Sequence, residues 1–328
     1  MTDTIRIGSR GSRLALIQSE WVRDRVRERH PYLQVEIEVI HTKGDKLLDA
    51  PLAKLGDKGL FVKELETALL DGRIDVAVHS AKDMPTELPD GLGIIAFTER
   101  QDVRDVFVAN PELLAAAGAG EGPDGGFTLD DVPYGARVGS SSLRRRSQLL
   151  ALRPDLDVVD IRGNVETRLG KVVEERMAGT ILAAAGLARL GRAEAAAFAF
   201  TFDEMVPAVG QGALAVEARL DHPHLSELRA ALDHRPTALE VATERALLGT
   251  LEGGCQVPIA AHADWKVGGE RGTGVLVLKA YVGSLDGSRV LRGECVRLAN
   301  DPEGLGIFLA AELLENGAGD ILDEIRAE

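Results

Sequence analysis

Three groups of side chains in this sequence have the types and spacing for chemistry. The first is a thiol. The run Leu251-Glu252-Gly253-Gly254-Cys255-Gln256-Val257-Pro258 sets one of only two cysteines between a glycine pair and a proline. Gly253 and Gly254 open backbone conformations closed to other residues, and Pro258 stops a helix from resuming. Cys255 is therefore expected to project from a tight turn where its sulfur is reachable. A small buried hydrophobe is the commoner fate of a free cysteine, and thiol and glycines alone leave both readings open. The second group is His79-Ser80-Ala81-Lys82-Asp83-Met84-Pro85, a polar run directly behind the apolar stretch Ile74 to Val78. In open α/β sheets ligands sit at the carboxyl ends of strands, which suits Lys82 and Asp83 to acid-base or charge-stabilising work. An ordinary surface ion pair is the plain alternative. The third group is arginine: Arg144 and Arg145 follow Ser140-Ser141-Ser142, and Arg162 and Arg168 flank Gly163-Asn164. Guanidinium grips a carboxylate with two parallel hydrogen bonds, which lysine cannot do. In the first turn of a helix an arginine opposes the macrodipole at a cost of roughly a few tenths of a kcal/mol, which an anionic ligand offsets. Four of them at sheet ends, in a chain of formal net charge -14, point to a polyanionic small molecule.

The elements that must position these groups read as α/β. Ile5 and Ile7 start a strand that runs through Gly8-Ser9-Arg10-Gly11-Ser12 into a helix with Leu14, Ile17 and Trp21 on its apolar face. Such a turn can hold an anion on helix N-terminal amides, with Arg10 adding charge. Val35 to Ile40 gives a second strand. His41 to Gly59 is polar and glycine-containing, a lid or a solvated loop. A helix through Phe61, Leu65 and Leu69 leads to the buried parallel strand ending at His79. Asp105 to Val108, Arg137 to Gly139, the stretch before Arg162 and Ile181 to Ala185 repeat the strand pattern, and Ala115 to Gly126 reads as a surface insertion. Met205 to Leu214, with a proline and two glycines, reads as a hinge or a loop. After Asp221 the pattern changes. Thr237 with Glu240 has capping-box spacing for a helix that stops at Gly249. Val275 to Val282 and Val290 to Leu298 form a hairpin about Asp286-Gly287, and Asp301-Pro302 opens a helix ended by Gly317.

Composition narrows the partners. An acidic balance argues against nucleic acid. Two distant cysteines, Cys255 and Cys295, make no disulfide framework, and Cys295 reads as a strand residue. No stretch has the length of a membrane span or of a signal peptide, so a cytoplasmic setting is expected, with no membrane partner.

The octet around Cys255 resembles the cofactor-attachment segment of the porphobilinogen deaminase (hydroxymethylbilane synthase) family, and His79-Ser80-x-Lys82-Asp83-x-Pro85 resembles that family's active-site motif. The resemblance covers essentially the whole chain. It implies two periplasmic-binding-protein-like α/β domains plus a small α+β C-terminal domain carrying the cofactor cysteine, with residues 1–104 and 207–221 in the first, 105–206 in the second and 222–328 in the third. By the same resemblance Cys255 carries a dipyrromethane cofactor through a thioether, and Asp83 is the principal catalytic carboxylate, with Lys82 beside it. Arg10 and Ser12 fall in the first-loop anion site, and Lys54 and Lys58 in the lid over 41–59. Ser80, Ser141, Arg144, Arg145, Arg162, Arg168 and Arg189 fall among groups that bind substrate and cofactor carboxylates, and Gln211 falls in the hinge motif. Two departures are local: Ala178-Gly179-Thr180 stands where the family has an Asp-Ala pair, and Val103 replaces a proline.

The activity so implied is a transferase that condenses four porphobilinogen molecules, with loss of ammonia, onto the bound primer and releases hydroxymethylbilane. An ionised Asp83 in reach of pyrrole N–H groups would stabilise positive charge developing in each condensation. Growth of a tethered product requires the lid or the domains to move. Neither a metal nor a diffusible nucleotide is called for, and a monomer is expected. A two-lobed solute-binding module is the alternative from another class, and the Cys255 loop argues against it. An NAD(P)-linked oxidoreductase lacks its full glycine fingerprint.

Overall fold

A computed structural model of the chain describes residues 4–42, 62–118, 126–252, 257–266 and 271–327. The chain divides into two units, Met1–Gln101 with Gly212–Val241, and Asp102–Gln211 with Ala242–Glu328.

The first unit contains β1 (Thr4–Ser9), α1 (Arg13–Arg29), β2 (Gln34–Val39), α2 (Lys63–Leu70), β3 (Val76–Ser80) and β4 (Leu92–Phe97). A later strand and helix, numbered β10 (Leu214–Arg219) and α7 (Leu225–Leu232) in chain order, complete it. Its sheet runs β2-β1-β3-β10-β4, parallel through the first three strands. β10 is antiparallel to both its neighbours. Period-two alternation divides the strands between two cores. Ile5, Ile7, Val76 and Val78 pack under α1 and α7 with Val22, Val26 and Leu228. Ala77 faces the other way, onto Leu65, Leu69 and Ile74 at α2. The buried stripe of α1 is Ala15, Gln18, Ser19, Val22 and Val26, whereas Trp21 is 45% exposed. The expected face of Leu14, Ile17 and Trp21 is therefore corrected. Two polar residues on the buried stripe hid the true periodicity.

The second unit holds β5 (Asp105–Ala109), α3 (Pro111–Ala117), β6 (Arg137–Gly139), α4 (Leu143–Leu152), β7 (Asp157–Val159), α5 (Val165–Glu174), β8 (Gly179–Ala183), α6 (Ala184–Arg189) and β9 (Phe198–Ala199). Their sheet runs β7-β6-β8-β5-β9, again with one inner strand, β5, antiparallel to its neighbours. α3 was not anticipated, although Asn110 caps it, Pro111 opens it and Gly118 closes it in the left-handed region. At Gly179 on β8 a Cβ would meet the Phe107 ring and the Val108 carbonyl at 2.5 Å, so the strand packs there without a side chain.

Helix α8 (Arg235–Thr250) leads to a three-stranded antiparallel sheet, β11 (Ile259–Trp265), β12 (Val275–Gly283) and β13 (Val290–Leu298), backed by α9 (Pro302–Glu315) and α10 (Ala318–Ala327). α8 starts two residues before Thr237: the His234 carbonyl accepts the first helical bond, and the Thr237 hydroxyl instead accepts the Arg100 N–H. The C-terminal α+β layer is part of the second unit. Ser147 on α4 bonds both the Tyr281 hydroxyl and the Ser284 carbonyl. The hairpin glycine Gly287, φ +71°, lies so close that a Cβ would strike the α4 backbone at Ala151. Cys295 lies on β13 as expected, partly exposed.

Candidate active site

In the first unit the polar run lies where the sequence placed it. β3 ends at Ser80 and a single 3-10 turn, Ala81–Asp83, follows. The Ala81 N–H bonds the Ala213 carbonyl at 3.0 Å, and the Met84 N–H closes the turn on Ala81. Ala81 and Met84 are both buried, in a cluster with Val62, Ala213, Ala215 and Val241. Apolar anchors on both sides of Lys82-Asp83 thus leave Asp83 exposed and Lys82 half-buried. The strand end is clamped from both faces of the sheet. Gln18 on α1 donates through Nε2 to the Ser80 hydroxyl at 3.0 Å. On the opposite face His79 Nε2 donates to Glu217 at 3.1 Å. At the end of β1, Ser12 caps α1, its hydroxyl accepting the Ala15 N–H, and Arg10 is half-buried.

The second unit presents its polar groups from the turns after β6 and β7. The Ser141 hydroxyl donates to the Ile161 carbonyl and accepts the Ile161 N–H, stitching those turns together. Gly163 at φ +109° lets the chain bend out of β7 into the Asn164 cap of α5. Arg168 reaches back with Nε to the Gly163 carbonyl at 2.9 Å, and Arg162 and Arg168 remain half-buried. Arg189 ends α6, and burial pulls its guanidinium down to about 10.

Arg144 and Arg145 differ from the other arginines. Both are buried around Asp105, the first residue of β5 and itself fully enclosed. Arg144 donates to one carboxylate oxygen at 2.7 Å, and Arg145 donates twice to the other at 2.9 and 2.7 Å. Arg144 Nη1 also donates to the Val206 carbonyl, and Arg145 Nη1 to the Ile181 carbonyl. Gln211 joins the ring, its Nε2 donating to the Val103 carbonyl and to Asp105. Burial alone would raise the Asp105 carboxyl, but the two guanidinium charges hold it well below the usual carboxylate range. The anion that offsets arginines in this first helical turn is thus built into the chain.

Lys54, Lys58 and Cys255 lie outside the described residues, as does most of the expected lid. The lead-in to Cys255 is described: Leu251 is buried, Glu252 has φ +50°, and Arg326 of α10 donates to the carbonyls of both. Asp105, Glu217 and Gln18 were not singled out from the sequence. The available signal was a charged residue within or opening an otherwise apolar strand, Asp105-Val-Phe-Val and Leu214-Ala-Val-Glu217-Ala. Among the described residues no group of His, Cys, Asp and Glu could hold a metal ion. No described helix is long and apolar enough to cross a membrane.

Known proteins are similar to this chain over nearly its whole length. Residues 5–227 match the family profile described as porphobilinogen deaminase, dipyromethane cofactor binding domain, and residues 238–315 match the porphobilinogen deaminase C-terminal domain. The porphobilinogen deaminase of Geobacter sulfurreducens is 47% identical over 98% of this chain and 94% of its own. That of Moorella thermoacetica is 48% identical over 99% of this chain and 97% of its own. Among solved structures, the methionine-binding protein MetQ superposes with a TM-score of 0.43 over 70% of this chain and 90% of its own at 13% identity, too distant to add to the sequence match. With matches running through nearly its full length, the chain belongs to the porphobilinogen deaminase family.

Proposed function

We propose that this transferase of tetrapyrrole biosynthesis, which condenses porphobilinogen on a dipyrromethane cofactor and releases hydroxymethylbilane, works through Asp83 as its reacting carboxylate and Cys255 as its anchor. The observation that carries the reading is the turn Ala81–Asp83, which holds one exposed carboxylate beyond a strand end fixed from two faces and by its backbone. When bound, the cofactor would supply the nucleophilic pyrrole carbon that takes the first porphobilinogen. The residues present fit a group with carboxylate arms. Arg10, Arg162 and Arg168 are half-buried cations, and a carboxylate beside Arg189 would reverse the loss of basicity that burial causes there.

In this reading Asp83, ionised, accepts hydrogen bonds from pyrrole N–H groups and stabilises positive charge as ammonia leaves. It then takes up the proton released from the attacking pyrrole α-carbon. Lys82 adds a positive charge beside it for substrate carboxylates. Ser12, Ser80 and Ser141 order the turns, and Lys54 and Lys58 belong to the lid. Arg144, Arg145 and Gln211 contribute by fixing the start of α4 around Asp105. We read the enzyme as a cytoplasmic monomer, in keeping with the acidic composition and the lack of a disulfide framework in the sequence.

Two substitutions test the assignment. Cys255→Ala is expected to give a folded chain whose intact mass equals that of the polypeptide alone; a retained pyrrole adduct removes the anchor from Cys255. Asp83→Asn is expected to keep the adduct and lose about 10²- to 10⁴-fold in kcat, and near-native turnover rules out the proposed role.

A further inference from the structure

The first unit buries charge that this chemistry does not use. His79 on β3 and Glu217 on β10 are 5% and 0% exposed, joined by the 3.1 Å bond. The ladder pairs Glu217 with Ala77 and Ala215 with His79, so the bond runs diagonally across two strands on the α2 face. Glu217 sits where the register between β10 and β4 shifts, a kind of irregularity that re-aims a side chain. Its second oxygen, Oε1, has no hydrogen-bond partner among the described residues. Glu66 of α2 is buried on that side as well; burial first, then the charge of Glu217, raises its carboxyl.

A histidine and two carboxylates against a core of Leu65, Leu69, Ile74 and Ala77 are expensive to desolvate. Apolar residues of the same volume are commonly as stable or more so. Stability is therefore a poor reason for the cluster, and its place in the fold is a better one. His79 is the penultimate residue of β3, and the turn bearing Asp83 begins two residues later. The last rungs joining β3 to β10 are Leu214 with Ser80 and the Ala81 N–H on the Ala213 carbonyl. The His79–Glu217 bond locks the same two strands immediately before those rungs.

We propose that Glu217, acting through its buried bond to His79, is a positioning residue for Asp83, fixing the end of β3 so that the turn holds the exposed carboxylate in one place. Resting on Asp83 as the reacting group, the proposal extends the reading above to residues that touch no substrate.

The test compares three variants of the full-length, cofactor-loaded enzyme. The apolar pair His79→Leu with Glu217→Met removes the bond and leaves neither partner buried alone. It is expected to fold and melt within a few degrees of the parent. Its amides at Ala81 to Met84 should exchange about tenfold faster while those of β1 are unchanged. Its kcat should fall at least about tenfold with KM within about threefold. Glu217→Gln, which keeps an acceptor for His79 Nε2, is expected to restore both local protection and most of kcat. In an Asp83→Asn background the apolar pair should cost nothing further in kcat, because it acts through that carboxylate; losses that multiply overturn the proposal. Parental exchange at Ala81 to Met84, or parental kcat, in the apolar pair overturns it as well, and so does failure of the pair to fold, which would make the bond a requirement of the fold. An active Asp83→Asn would instead strike the reading beneath, while amide exchange would still report whether Glu217 holds the turn.

Discussion

The two sheets are built to one plan and differ in what their odd strand carries. In β2-β1-β3-β10-β4 and β7-β6-β8-β5-β9 the fourth strand is the one antiparallel to its neighbours, and each time it buries a carboxylate, Glu217 in the first and Asp105 in the second. Asp105 meets two guanidinium groups and the Gln211 amide, so its oxygens are saturated. Glu217 meets one imidazole and keeps an oxygen without a partner among the described residues. The saturated carboxylate lies under a helix start and ties α4, β5 and the Gln211 segment together. The under-saturated one lies under the turn that bears Asp83. A full network specifies structure, and a partial one at a strand end is where function tends to be stored.

That contrast can be broken most forcefully at Asp105. Asp105→Ala leaves two buried guanidinium groups without their anion and should cost about 3–5 kcal/mol in denaturant unfolding. A loss under about 1 kcal/mol would show that the ring is not held by charge. The acid limb is the next test. Asp105 is depressed in the folded state, so its contribution is fully present above the unfolded value of about 3.9 and drains away as pH falls toward the folded one. Stability followed by thermal melts should therefore be flat in this respect from about pH 5 to 8 and decline below about pH 4, and Asp105→Asn should flatten that decline. The smallest effect has the opposite sign. Glu66 is raised in the folded state, so ionisation penalises folding above its ordinary value and not below it. Glu66→Gln should then stabilise at pH 8, by about 1 kcal/mol or less, and make no difference near pH 3. Equal gains at both pH values would assign the effect to packing.

Much of this was legible in the sequence where physics is local. Strand, small-residue turn and helix recur on either side of Arg10, Ser141 and Asn164, and each turn supplies its helix with a side-chain cap. The hairpin at Asp286-Gly287 and the Asp301 cap were equally readable. What failed depended on tertiary partners. Trp21 looked like core because Gln18 and Ser19 looked like surface, and Gln18 is buried to reach Ser80. The buried carboxylate that pairs with Arg144 and Arg145 was not visible because it lies about 40 positions earlier, on β5. No window of sequence contains both halves of such a pair. The same holds for Glu217 and His79, 138 residues apart.

The bond from Arg326 to the carbonyls of Leu251 and Glu252 has a consequence for folding. The guanidinium that fastens the approach to Cys255 belongs to the last turn of α10, 75 residues further along the chain than Leu251. Until that helix has docked, the segment ahead of the thiol lacks its clasp.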